Sequence, residues 1–277
     1  MAQDSELAAL LTKICRDRGF DGNQYKETFL ERRLAVRMRA RGVASYAAYQ
    51  ALLDSDPAEY PLLMSALTIN LSYFFRDGEV FLALRDNILA PLVQQRDRAG
   101  QRRLDIWSAG CAGGEEPYSL AILLWELLAP GLGRWNAPII ASDIDTEVLT
   151  RARQGRFTDF SFRGVSEQFL APFFTREEQH YRIHDELKRL VTFCHHDLLH
   201  HGPPPWGPFD LILCRNVLIY FTRQRQAHVL DMLCRTLRPG GHLVLGKTEL
   251  PTTMNPQRLC VEDARLHIYI RPKETDP

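Results

Sequence analysis

Six cysteines in 277 residues, none of them in a CxxC pair, leave neither a disulfide framework nor a zinc site to organise the chain. They are scattered at Cys15, Cys111, Cys194, Cys214, Cys234 and Cys260, the usage expected of reduced thiols in a cytoplasm. No apolar run approaches the roughly 18 residues that a bilayer span requires. The opening MAQDSELAALLTKICRDRGF is polar and acidic where a secretory signal is basic and then apolar. A cytoplasmic protein without membrane insertion is the expectation. An excess of one charge is missing too: 34 Lys and Arg face 34 Asp and Glu, so no whole-molecule field draws the chain to nucleic acid or membrane. There is no internal repeat, no nucleophile elbow, no DPPY- or NPPY-type motif and no metal set. HHDLLHH (195–201) puts His196 and His200 four apart, but it follows a strand-like run and leads into GPPPWGP. Helical spacing, and with it a metal pair, is therefore not expected there.

What is present is an ordinary globular composition, 45% hydrophobic and 25% charged, with enough apolar residues for a large core. Residues 5 to about 92 read as helical. Asp4 or Ser5 caps a first helix with apolar positions Leu7, Leu10, Leu11 and Ile14, and Gly19 and Gly22 break it. A second runs from Tyr25 to Arg41 and ends at Gly42, Ser45 caps a third, and Pro57 opens a fourth segment. After Gly100 the pattern changes. LDIWSAG, APIIASDID, FDLILCRN and GGHLVLG are short apolar runs. Helices follow the first three, near Glu116–Leu128, over EVLTRARQG, and near Arg223–Leu237.

Strands alternating with helices imply an α/β fold with a doubly wound parallel sheet. RLCVEDARLHIYIR reads as a terminal antiparallel hairpin. Between Arg156 and Phe193 aromatics and scattered charges interrupt the alternation, with HYRIHD and RLVTF as an alternating pair. A small inserted helix and hairpin are expected there. The resulting division is a helical domain over 1–75, a linker helix over 76–92, and an α/β domain over 93–277 carrying an insert at 156–193.

Open parallel sheets bind ligands beyond the carboxyl ends of their strands, and three such ends carry informative residues. After the first strand, AGCAGGEEPYS supplies Gly110, Gly113 and Gly114 for a tight turn and a close backbone approach. Glu115 and Glu116 then stand where a dinucleotide pyrophosphate would meet the helix N-terminus. Carboxylates there repel phosphate and suit a cationic ligand such as S-adenosylmethionine, with its ammonium and sulfonium. Asp143 ends the second strand, placed for ribose hydroxyls. Asp197 follows LVTFCH, placed to accept from an adenine amine with Leu198 against the ring. The bland alternative makes the glycines a structural turn and the acids helix caps; three features in order on one scaffold favour a cofactor site.

The sequence resembles the chemotaxis receptor methyltransferases, the CheR family, over nearly its whole length. The resemblance lies in LTINLSYFFRD (67–77), IWSAGCAGGEEPYSLA (106–121), ASDIDTEVLTRARQGRF (141–157), FDLILCRNVLIYF (209–221) and PGGHLVLGKTE (239–249). It implies a small all-helical N-terminal domain before a Rossmann-like S-adenosylmethionine-dependent methyltransferase domain with a β-subdomain. Carried onto matching positions, it implies that Asn70, Ser72 and Arg76 reach the cofactor from the linker. Gly110 and Glu115 would hold its methionine end, Asp143 and Ile144 the ribose, Asp197 and Leu198 the adenine side, and Arg215 and Asn216 the methionyl portion. Arg76 and Tyr220 would lie nearest the transferred methyl. Ser72 stands where the family usually has threonine, and GKTE replaces its usual glycine, variable residue, serine and glutamate. The hairpin turn around TREEQHY (175–181) looks shorter than in members that dock on a receptor C-terminal pentapeptide, and no such tether is expected.

The implied product is a glutamate methyl ester on bacterial chemotaxis receptors. A glutamate is already ionised at neutral pH, its solution pKa being about 4.3, so no general base is needed. The task is to hold a carboxylate in line with the methyl. Arg76, with its planar guanidinium, suits that grip; its structural alternative is a surface pair with Asp77 or Glu79. Tyr220 would position the other oxygen or sit beside the sulfonium, or simply fill core. The second helix, YKETFLERRLAVRMRARG, lines Arg33, Arg37 and Arg41 along one face. The ordinary reading is a solvated charged face; the resemblance makes it a docking surface for the acidic cytoplasmic coiled coil of methyl-accepting receptors. Cys111 and Cys214 read as packing residues. Two rivals are a methyltransferase of this fold acting on nucleic acid or a small molecule, and a signalling module that binds the cofactor without turnover.

Overall fold

The helical punctuation of the first 68 residues produces α1 (Ala2–Arg18), α2 (Glu27–Ala40), α3 (Tyr46–Ser55) and α4 (Glu59–Leu67) in a computed structural model that describes residues 2–68, 70–129, 131–251 and 258–273. Helix α1 starts at Ala2, ahead of the expected caps. Ser5 lies inside it, and the side chain of Asp4 lies outside the described residues. Helix α2 begins at Glu27 and not at Tyr25, because Tyr25 is extended and forms an antiparallel bridge with Phe221. Ser45 caps α3 as its sequence predicts, its hydroxyl accepting from the Ala48 amide at 3.1 Å. Leu10, Ile14, Leu30, Leu34, Tyr49 and Leu63 form the dry centre of this unit.

The unit comprises residues 1–69 together with 218–226. The later segment is tied in by Lys26 N to Tyr220 O at 2.9 Å and Thr222 N to Gln24 O at 3.0 Å. The division falls before Asn70, earlier than the boundary at 75 read from the sequence, so the Asn70–Arg76 stretch belongs to the other unit.

A buried charge organises the helical unit. Glu59 is fully buried and accepts from Arg37 Nε and Nη2, both at 2.8 Å, from Arg41 Nη1 at 3.3 Å and from the Tyr49 hydroxyl at 2.7 Å. A carboxylate without water is tolerable only with such a set of donors. Burial and the neighbouring Glu59 carboxylate hold the Tyr49 phenol in its neutral, donating form by pushing its pKa up.

The second unit, residues 70–217 with 227–277, runs through a non-helical stretch into a continuous helical segment at Gly78. Its parts are α5 (Gly78–Ala83), a π-helical turn over Leu84–Leu89, and α6 (Ala90–Arg98). Pro91 has no N–H to give the ladder, and Ala90 N reaches back five residues to Arg85 O. The sheet strands are β1 (Ile106–Ala109), β2 (Ile139–Asp143), β6 (Val191–His195), β7 (Phe209–Cys214), β8 (Leu237–Leu245), β9 (Cys260–Asp263) and β10 (Ile268–Ile270). Their order is β6-β2-β1-β7-β8-β10-β9, parallel from β6 to β8 and antiparallel at β10 and β9.

Helices α7 (Glu115–Leu128), α8 (Thr146–Gln154) and α11 (Arg223–Thr236) intervene. The chain moves to one side of β1 to place β2 and to the other to place β7, so the direction of winding reverses at β1, where a doubly wound sheet opens its ligand crevice.

The insert is a three-stranded antiparallel sheet of β3 (Arg156–Phe157), β5 (Tyr181–Ile183) and β4 (Phe174–Arg176), with short helices α9 (Glu167–Leu170) and α10 (Asp185–Lys188). The expected pairing of HYRIHD with RLVTF is corrected here. HYRIHD supplies β5, but its hairpin partner is β4, and RLVTF supplies β6, which pairs in parallel with β2. Local alternation marked both strands as half-buried but could not say which sheet each joined. The aromatics of the insert gather around Phe74, which is fully buried and packs on Phe157, Phe162 and Phe174 at ring separations of 4.8, 4.9 and 5.1 Å.

Candidate active site

Strand β1 ends in a turn that only glycine satisfies at two points. Gly110 has φ +75°, and a Cβ there would come within 2.4 Å of Val217 Cγ2; Gly114 has φ +93° and packs against Ala152 and Phe193. Between them Ala112 adopts φ +47°, held by its amide donating to Asp143 Oδ2 at 2.9 Å. The turn delivers Glu115 and Glu116 to the first turn of α7, where the helix dipole favours negative charge.

The two carboxylates have different fates. Glu116 is engaged within the protein, accepting from Ser108 Oγ at 2.8 Å and Arg215 Nη1 at 3.3 Å. Glu115 is 7% exposed; its Oε1 accepts from Ser161 Oγ at 3.0 Å, while its Oε2 is buried without a hydrogen-bond partner. Burial pushes the Glu115 pKa up, opposed by its backbone and by the Ser161 and Ser72 hydroxyls. A second buried acceptor, Asn216 Oδ1, is likewise unpartnered, at the end of β7, the parallel neighbour of β1. Asn216 sits at φ +61°. Two orphaned acceptors at adjacent strand ends are costly unless a donor arrives. The ammonium of S-adenosylmethionine, three donors and one positive charge, fits that demand.

The remaining predicted residues are placed as follows. Asp143, at the end of β2, is 8% exposed and accepts from the Ala112 amide and, at 3.0 Å, from Asp145 N. Burial raises its pKa against those amides, and a carboxylate with two donors retains lone pairs for hydroxyls. Ile144 is partly buried beside it. Asn70 donates to Asp145 Oδ2 at 2.8 Å. Beyond β6, Asp197 is turned partly inward on its own loop, accepting from Leu199 N at 2.8 Å and pairing with His200 Nδ1 at 2.8 Å, with Leu198 buried next to it. His196 is bonded to Gly202 O at 3.1 Å. Cys111 and Cys214 are fully enclosed, burial pushing both thiols well above the usual range, consistent with packing and not with nucleophilic work.

Arg215 is held within the protein through both Nη atoms, while its Nε is buried without a hydrogen-bond partner. Its side chain is 2% exposed, and besides Glu116 it donates to Asp77 Oδ2 at 2.6 Å and Arg76 O at 2.9 Å. Arg76 is part-exposed; its Nη1 donates to Leu71 O at 3.2 Å, its guanidinium carbon lies 5.7 Å from the Tyr73 ring centroid, and it has no ion pair among the described residues. Tyr220 falls in the helical unit, packed on Phe29 at 4.8 Å against that unit's core.

Sequence reasoning missed three contributors. Glu249, 4% exposed, accepts from Asn216 N at 2.8 Å and Gly246 N at 2.7 Å, clamping the ends of β7 and β8. Ser161, inside the insert, reaches Glu115. Ser119 Oγ receives the Phe75 amide at 3.0 Å. Only the position of Glu249 three residues after a glycine hinted at such a turn.

A doubly wound sheet, a glycine turn at its reversal point and buried carboxylates at the strand ends define an S-adenosylmethionine-dependent methyltransferase. Residues 70–265 match the CheR methyltransferase SAM binding domain and residues 5–68 the CheR methyltransferase all-alpha domain. The chain belongs to the CheR methyltransferase family. It is 37% identical to the chemotaxis protein methyltransferase of Salmonella typhimurium over 231 residues, 81% of this chain and 76% of that one. It is 33% identical to that of Listeria monocytogenes over 258 residues, 93% and 94% of the two chains. A solved structure of magnesium protoporphyrin IX methyltransferase from Synechocystis with bound SAH is similar at 20% identity, over 56% of this chain and 52% of that one, with a TM-score of 0.29, too slight a likeness to bear on substrate. Among the described residues no helix is long and apolar enough to cross a membrane.

Proposed function

We propose that this enzyme transfers the methyl of S-adenosylmethionine to glutamate carboxylates on the acidic cytoplasmic coiled coil of bacterial chemotaxis receptors, giving glutamate methyl esters and S-adenosylhomocysteine in the cytoplasm. The observation that carries the reading is Arg76, an arginine with no ion pair among the described residues, in the same unit as the orphaned acceptors Glu115 Oε2 and Asn216 Oδ1. When bound, the cofactor supplies an electrophilic methyl on a sulfonium. Glu115 and Asn216 would hold its ammonium, Asp143 and Ile144 its ribose, and Asp197 and Leu198 its adenine. Asn70 and Ser72 line the approach. Arg76 grips one oxygen of the incoming carboxylate, which is ionised without help from a base. The grip must be modest, because the negative charge is lost as the ester forms. Tyr220 is the second residue proposed to serve the transfer, and Tyr220→Phe lowers kcat while cofactor affinity holds.

The test is tritium transfer from labelled cofactor to receptor-containing membranes, followed by alkaline release. Volatile methanol supports an ester; a base-stable label on nucleic acid, amine or small molecule refutes the reading. Arg76→Ala must abolish turnover while retaining cofactor affinity.

Receptor docking belongs to the exposed face of α2. Arg33, Arg37 and Arg41 were the sequence candidates, and the commitment of Arg37 and Arg41 to Glu59 shifts the weight to Arg33 with the exposed Arg32 and Arg39. Charge reversal at Arg33 or Arg39 raises the Michaelis constant for receptor and leaves cofactor affinity alone. The β4–β5 hairpin closes over only Glu177–His180, with Glu177 N to His180 O at 2.7 Å, which supports recognition without a C-terminal pentapeptide. Calorimetric binding of such a peptide would refute that.

A further inference from the structure

Arg76 lies between two residues in the left-handed region, Phe75 at φ +51° and Asp77 at φ +60°. Neither is glycine, and such conformations persist only where surroundings over-determine them, most often at functional sites. The causes are visible on both sides. Phe74 is fully buried in the aromatic cluster of the insert, its amide donating to Ser161 O at 2.8 Å. Phe75 packs edge-on to Phe81 and Phe169 at 5.4 and 5.2 Å, its amide on Ser119 Oγ. Two consecutive aromatics drawn into the protein force the chain to kink at once if Arg76 is to emerge.

The far side of the kink is held by Arg215, whose Nη2 donates both to Arg76 O at 2.9 Å and to Asp77 Oδ2 at 2.6 Å. Lys247 adds a longer contact to Asp77 Oδ1 at 3.4 Å. Arg215 is itself fixed by Glu116 and stacked near Phe81, 5.6 Å from its ring centroid.

We infer that Arg215 and Asp77 form a clamp that sets the position of Arg76, so that Arg215 serves the reaction as a positioning residue. The clamp grips main chain as well as side chain, so it fixes the direction in which residue 76 leaves the kink. A guanidinium is needed because one group must span a carbonyl and two carboxylates, which the point charge of lysine cannot do. The inference rests on the proposed role of Arg76.

The experiment uses the full chain with Arg215→Met, Asp77→Ala, Asp77→Asn and Arg76→Ala, measuring methyl transfer to receptor membranes, S-adenosylhomocysteine affinity by calorimetry, and melting. Asp77→Ala lowers kcat at least about tenfold with product affinity within about twofold, since a misplaced positioning group costs rate and not ligand contacts. Asp77→Asn keeps an acceptor for Arg215 and retains most of the turnover. Asp77 is part-exposed, so Asp77→Ala carries the test if Arg215→Met fails to fold. Undiminished kcat in Asp77→Ala, or weakened product binding with unchanged kcat in Arg215→Met, overturns the clamp while leaving the proposed function standing. An active Arg76→Ala, or a wild type inert on receptor membranes, overturns the proposed function and the clamp with it.

Discussion

Glu115 and Glu116 are adjacent and alike in sequence, yet replacing each by glutamine should give opposite results. Glu115 Oε2 is buried and unpartnered, and on the proposed reading it is the carboxylate that meets the cofactor's ammonium. Glu115→Gln keeps the shape and removes the charge. A buried charge-assisted hydrogen bond contributes about 1.5–3 kcal/mol, which corresponds to a cofactor dissociation constant raised roughly 10- to 150-fold. The unliganded protein should not suffer. Burial raises the Glu115 pKa, so the folded state binds a proton more readily than the unfolded chain. Ionisation at neutral pH therefore costs stability, a cost relieved as pH falls through the raised folded value. Glu115→Gln removes that cost, and its unliganded melting temperature should hold or rise.

Glu116→Gln instead strips a carboxylate from the enclosed Arg215. It should lower the melting temperature and change affinity little. The same linkage makes cofactor affinity in the wild type decline with acid from a pH above the ordinary carboxylate range, a slope absent in Glu115→Gln. Calorimetric titration with S-adenosylhomocysteine between pH 5 and 8, with thermal melts of the unliganded proteins, checks all of this. Affinity of Glu115→Gln within twofold of wild type, or loss of affinity confined to Glu116→Gln, would refute the assignment.

Three other outcomes follow from the packing. Arg37→Ala leaves the fully buried Glu59 with Arg41 and Tyr49 as its donors among the described residues; breaking a buried pair costs about 3–5 kcal/mol, visible in urea unfolding of the helical unit, whereas Arg39→Ala should be neutral. Gly110→Ala meets both the Val217 methyl and a left-handed backbone; it should abolish cofactor binding, and adding Val217→Ala should restore little, since the backbone strain remains. Phe74→Ala empties the centre of the aromatic cluster, costing about 3–5 kcal/mol, and limited proteolysis should then cut first within 156–183; an unchanged cleavage pattern would show that the cluster does not hold the insert.

The sequence by itself determined the class of fold and the cofactor it serves. Helical spacing before residue 68, apolar runs alternating with helices after residue 100, and acids or glycines at the ends of those runs are local properties. The cap at Ser45, the glycine turn at 110–114 and the acid at 143 could be read from neighbours alone. Which family the chain belongs to was equally legible, in segments such as IWSAGCAGGEEPYSLA.

Tertiary structure alone decided what each charged group does. Glu115 and Glu116 differ because Ser108 and Arg215 reach only the second. Arg37 and Arg41 face an acid 18 or more residues away, so a face that looked free is partly an internal ion pair. RLVTF and HYRIHD share one periodicity and join different sheets, and residues 218–226 fold with helices nearly 200 positions earlier. Periodicity specifies which face of a segment is apolar; it carries no information about which distant residue supplies the partner. Burial then sets the value of every charge, and burial exists only once the chain has closed around it.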